Sequence, residues 1–156
     1  MSKVKEKTPR GVKNCNPLNI RLPKNAKWAG LAKEQTDRSF CQFASMTYGW
    51  RAAFILLRKY YFVYELKTLR DIISRWAPPE DNNPTNIYIE TVEKLVQDAK
   101  INLFADSKLP DPDITPHVWA VIAASMAQVE NGRALNSYSS MDDVLIGWHF
   151  AQLARR

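Results

Sequence analysis

The chain has 156 residues, 46% hydrophobic and 24% charged, with a formal net charge of +6 and a pI of about 9.4. That length suits one domain with its own core, and the absence of any apolar run near the roughly 20 residues needed for a bilayer crossing excludes a spanning helix. Two cysteines, Cys15 and Cys41, exclude a disulfide framework, and no His/Cys spacing suggests zinc; two free thiols or one disulfide both remain open.

The charge is uneven. Residues 1–33 hold nine Lys/Arg against one acidic residue, while the remainder holds thirteen against fifteen. A basic first segment on a near-neutral body implies an anionic partner: nucleic acid, bacterial wall polymer or an acidic protein surface. Residues 1–9 read as a basic disordered arm, which would serve equally as a solubilising tail. The N-terminal residues lack an apolar stretch, so the expectation is synthesis in the cytoplasm without a signal peptide. Residues 10–156 read as a single domain.

Residues 11–46 read as short strands and turns. "GVKNCNPLNIR" (residues 11–21) is rich in turn-forming asparagine. In "FCQFAS", Phe40 and Gln42 alternate with Cys41 and Phe43, the period of a strand. From Thr47 the period changes, and "YGWRAAFILLRKYYFVYEL" has the spacing of a long core helix. "TLRDIISRW" follows, with Thr68 and Asp71 spaced as a capping box and Pro78–Pro79 as its stop. "TNIYIETVEKLVQDA" is a third helix. "TPHVWAVIAASMAQVENG" is a fourth, with Thr115 at the cap, Pro116 in the first turn and Gly132 as the stop. "SMDDVLIGWHFAQLARR" closes the chain behind Ser140 and Asp143.

Three places could carry chemistry. From Val118 to Val129 the fourth helix has no formal charge, so it should be buried, and it then reaches Glu130. Ile122, Met126 and Glu130 share a stripe. Desolvation at the end of that stripe would raise the carboxyl pKa, as a general acid requires; alternatively Glu130 is the first solvated residue of a helix end. "KEQTDRSF" supplies Glu34 and Asp37, either solvated loop carboxylates or the partners a glycosidase places across its substrate. In "RWAPPEDNNPTNIYI", Trp76 and Tyr88 could stack on a sugar and Asn82 and Asn83 could bond its hydroxyls; equally, the aromatics could be core. His117 and His149 show no partner pattern, and there is no Gly-rich phosphate loop or Ser/Cys nucleophile motif.

"RGVKNCNPLNIR", "WAGLAKEQTDRSFCQFASMTYGWRAAFILLRKYY" and "TLRDIISRWAPPEDNNPTNIYI" together resemble a phage and prophage family of lysozyme-like proteins, some known only as phage structural proteins. Its pattern runs RG-x-R-N-N-N-P-G-N-I-R, W-x-G, Q-T-D-x-x-F-x-x-F, Y-G-x-R-A and R-W-A-P-P-x-x-N-N-T-x-x-Y-I. The blocks cover most of residues 10–92 in order and are also similar to lytic transglycosylases and flagellar-type glucosaminidases. In those, a helix ending in E-S-G precedes the strands; here "AASMAQVENG" near the C-terminus resembles it. The resemblance implies an α+β, mainly helical, lysozyme-like domain: a small β-hairpin region followed by about five helices, its elements in circularly permuted order, with Glu130 closing beside residues 16–21. This chain departs from the pattern at Cys15 (for Asn), at Leu18 (for Gly) and at the extra Pro84.

The function implied is cleavage of the peptidoglycan glycan strand by a muramidase or lytic transglycosylase. Glu130 would be the acid, with Glu34 or Asp37 positioning water or stabilising the transition state. Asn16, Asn19, Gln35, Gln42, Trp76 and Tyr88 would line the saccharide groove, and no metal or cofactor is implied. The partners implied are peptidoglycan and other virion proteins, at the cell wall or within a phage particle. The alternatives are a catalytically degenerate lysozyme-like virion or assembly protein, and a nucleic-acid-binding domain that rests on charge alone.

Overall fold

The computed structural model describes residues 8–154; the arm expected over 1–9 therefore lies, up to residue 7, outside the described residues. The chain forms α1 (Arg10–Lys13), α2 (Met46–Phe62), α3 (Leu69–Trp76), α4 (Thr85–Asp98), α5 (Pro116–Asn131) and α6 (Met141–Leu153), with 3₁₀ turns at Pro79–Asp81 and Arg133–Ser137.

The expected α+β arrangement with a β-hairpin is not what forms. Among the described residues there is no strand; Arg21 pairs with Phe40, and Leu31 with Phe43, as isolated antiparallel bridges. Side-chain amides take the place of ladder rungs. The Asn16 amide donates to the carbonyls of Ile20 and Cys41 (2.9 Å each), and its Oδ1 accepts the Ile20 N–H at 2.9 Å. Gln35 accepts the Gln42 N–H (2.8 Å) and donates to the carbonyls of Ala32 and Gln42. Left-handed residues at Cys15 (φ 49), Asn19 (φ 52) and Gly30 (φ 77) break any extended run. The alternation in "FCQFAS" survives as burial: Cys41 and Phe43 enter the core, while Phe40 and Gln42 are half-buried.

The helices follow their caps. Thr68 Oγ1 accepts the Asp71 N–H at 3.1 Å, and Ser140 with Asp143 forms a full capping box. Thr115 does not cap α5; its hydroxyl instead donates to the Asp111 carbonyl at 2.8 Å. Helix α5, uncharged from Val118 to Val129, lies at the centre, with Trp119, Ile122 and Met126 fully buried and α4 and α6 packed on it. Helices α2 and α6 cross closely because Gly147 sits against Trp50 and a side chain there would collide. Phe54 meets Trp148 edge-on at 5.0 Å beside that crossing. Cys15 and Cys41 are both free thiols. No helix among the described residues is long and apolar enough to cross a membrane.

Candidate functional site

The site is built where the loop after α1 meets the end of α5. Asn131, the last residue of α5, is buried and donates its amide to the Pro17 carbonyl (2.7 Å) and the Ala127 carbonyl (3.0 Å). Gly11 lies against the same side chain, in space a Cβ would fill. This docks residues 14–23 on the helix end and brings Asn19 to Glu130. A left-handed backbone costs asparagine little, because its short polar side chain bonds locally.

Glu130 lines a groove of about 690 Å³. Its lining combines Asn19–Pro23, Trp28 and Phe40 with Leu56 and Tyr60 from α2, Trp76 and Ala77 from the end of α3, and Asp81 and Asn83 beyond it. Tyr60 and Trp76 meet edge-on, with ring centroids 5.7 Å apart. Desolvation pushes the Glu130 carboxyl up to about 7, and a hydrogen bond from the Asn19 side chain pulls it partly back. Asn19 Oδ1 is buried with no hydrogen-bond partner among the described residues.

The groove gathers four of the residues singled out from sequence: Glu130, Asn19, Trp76 and Asn83. Asn16 is fully buried and spends its side chain on the backbone of Ile20 and Cys41. Tyr88 lies behind the groove, 4% exposed, its hydroxyl donating to the Met126 carbonyl at 3.3 Å. Burial, with the Glu130 charge second, raises the Tyr88 pKa well above its ordinary value. Gln35 and Gln42 brace the loops over 32–42 and do not line the groove. Glu34 is exposed and outside it. Asp37 lines a separate concavity of about 980 Å³ with Arg10, Lys13 and Arg38. Arg10 grips Asp37 through both oxygens, at 2.6 and 2.7 Å, and Asn14 and the Ser39 and Phe40 N–H groups add to the pair. These bonds, the Arg10 one foremost, hold the Asp37 carboxyl well below the usual range. Neither Glu34 nor Asp37 therefore stands across the groove from Glu130; the second carboxylate there is Asp81, which is exposed.

Reading the sequence missed Arg21, Trp28, Phe40, Tyr60 and Asp81 as groove residues. Leu56 and Tyr60 offered a signal: four apart, they share a face of α2 and are half-buried where Ala53, Phe54 and Leu57 are fully buried. Asp81 had none, because its place depends on the turn after Pro78–Pro79.

Among the described residues no cluster of His, Cys, Asp and Glu could hold a metal ion. The comparison that decides kinship is with Protein P5 of Pseudoalteromonas phage PM2, 32% identical over 134 residues, which are 85% of this chain and 77% of that protein. The chain belongs to the P5 family. P5 is a bacteriophage protein, and this chain is a relative of it along most of both lengths. No protein-family model matches the chain.

Proposed function

We propose that this P5-family protein cleaves the glycan strand of bacterial peptidoglycan, between N-acetylmuramic acid and N-acetylglucosamine, and that Glu130 is its general acid. The observation that carries the reading is a desolvated carboxyl, still half protonated at about pH 7, in the wall of an aromatic groove. The motif resemblance over residues 10–92 supports it, and a phage relative suits an enzyme that opens a bacterial wall.

Trp76 and Trp28 offer flat apolar faces to sugar rings, and Asn83 offers hydrogen bonds to hydroxyls. The unpartnered Asn19 Oδ1 suits a donor such as an acetamido N–H. Glu130 gives its proton to the glycosidic oxygen as the bond to the anomeric carbon breaks. The 6-hydroxyl of the same muramic acid attacks that carbon and returns its proton to the Glu130 carboxylate, leaving a 1,6-anhydro product. This transglycosylase route needs one working carboxylate, which suits a groove where only Glu130 is desolvated. Hydrolysis would instead draw on Asp81 to position water. The products distinguish them: anhydro ends for the first, reducing ends for the second.

A second reading is a virion protein without catalysis. Phe62, Val63 and Tyr64 form an exposed apolar run at the end of α2, 41%, 65% and 37% exposed, which suits a protein neighbour. Purified protein that binds another virion protein through this run, and releases nothing from peptidoglycan, would establish it.

A further inference from the structure

We infer that the basic concavity beside the groove is a binding site for carboxylate-bearing peptide, the acidic stem peptides attached to the glycan strand. The inference rests on the glycan-strand reading of the groove, and extends it to the substituents of the strand.

The concavity measures about 980 Å³, and its charged lining is Arg10, Lys13, Arg38 and Asp37. The one carboxylate is consumed by Arg10. The side chains of Lys13 and Arg38 make no hydrogen bond or ion pair with any described residue, so two cations face a space large enough for a short peptide. Arg38 also lines a third hollow of about 410 Å³ with Lys24, and that hollow shares Leu22 and Pro23 with the groove. Phe40 joins the first two: it lines the groove, and the guanidinium groups of Arg10 and Arg21 lie 4.5 and 5.5 Å from its ring centre. A strand lying in the groove would thus carry its side branches toward cations.

The chemistry favours carboxylate over nucleic acid. Arg10 already displays how the site receives a carboxylate, side-on through two parallel N–H···O bonds from its Nε and Nη2. A nucleic acid would need an open aromatic face for its bases or an uninterrupted basic track for its phosphates. Here the Phe40 ring is occupied by guanidinium groups, and Asp37 interrupts the track.

The test uses the whole chain and four probes: soluble glycan strands bearing their peptides, the same strands after an amidase has removed them, the released peptides alone, and a short DNA duplex. The expected result is tighter binding of peptide-bearing strands by about tenfold at low salt, a preference that shrinks as salt rises. Lys13→Ala/Arg38→Ala should abolish the preference and leave peptide-free strands bound as before, while Trp76→Ala weakens both strands together. Equal binding of the two strands by the wild type would overturn the inference, as would a preference that persists in the double variant. If the wild type binds neither strand, the glycan reading falls, and the released peptides decide: retention that the double variant loses upholds the peptide site, and no retention overturns it. A double variant that keeps the peptides and loses a short DNA duplex would assign the concavity to nucleic acid instead.

Discussion

The side chain of Asn131 donates to the carbonyl of Pro17 at 2.7 Å, across 114 residues of sequence. That bond ties the loop bearing Asn19 to the helix bearing Glu130, so it sets the geometry of the carboxyl and its partner. Asn131→Ala leaves a buried carbonyl unsatisfied and is expected to cost about 2 kcal/mol, a fall in Tm of roughly 4–8 °C for a chain of this size. Activity should fall further than stability explains, because Asn19 loses its station. Thermal denaturation and turnover on the same preparations check both.

Stability should depend on pH through Glu130. Its folded pKa of about 7 lies above the ordinary 4.5, so between these values the folded chain binds more protons than the unfolded one. Stability is then greatest, as far as this group is concerned, below about pH 4.5. It declines as pH rises to 7, by about 3 kcal/mol at most. Glu130→Gln should remove that slope and leave the variant more stable than wild type at pH 8. Denaturant unfolding at pH 5 and pH 8 measures it.

Asn19 tunes the acid. Its hydrogen bond favours the charged carboxylate. Removing it in Asn19→Ala should raise the Glu130 pKa further. A general acid works while protonated, so the alkaline limb of the pH–rate profile should move to higher pH, with a lower maximum because Asn19 also lines the groove. A limb that stays in place would detach Asn19 from the acid.

The family pattern carries asparagine where this chain has Cys15, and Cys15 is left-handed at φ 49. Asparagine tolerates that region better than cysteine, so Cys15→Asn should stabilise by about 0.5–1 kcal/mol, a rise in Tm of about 1–4 °C. The other departure, Leu18 for glycine, asks nothing of the backbone: Leu18 is not among the left-handed residues and is fully buried.

How much was legible follows from where each signal is stored. Caps at Thr68 and Ser140 were readable because the residues that make them are three apart in the chain. The uncharged run before Glu130 was readable as a buried helix for the same local reason, and burial of that helix is what raises the carboxyl pKa. The hairpin misled because alternation in "FCQFAS" reports burial on two sides, and burial does not require a ladder. Asn16 and Gln35 saturate the backbone that a neighbouring strand would have paired, and a single sequence does not reveal which amides turn inward. Asn16 and Tyr88 looked like groove residues by type, yet both spend their polar atoms on buried backbone. Asp81 and Tyr60 reach the groove only through the approach of α3 to α2, a tertiary fact.

The most direct measurement is digestion of purified peptidoglycan by the wild type and by Glu130→Gln, with the soluble products read by mass spectrometry. The account predicts muropeptides with 1,6-anhydro ends from the wild type and a loss of at least about a hundredfold in the variant, the scale of a general acid's contribution. Equal release by a folded Glu130→Gln variant, or none by the folded wild type on walls of several chemotypes, would contradict it.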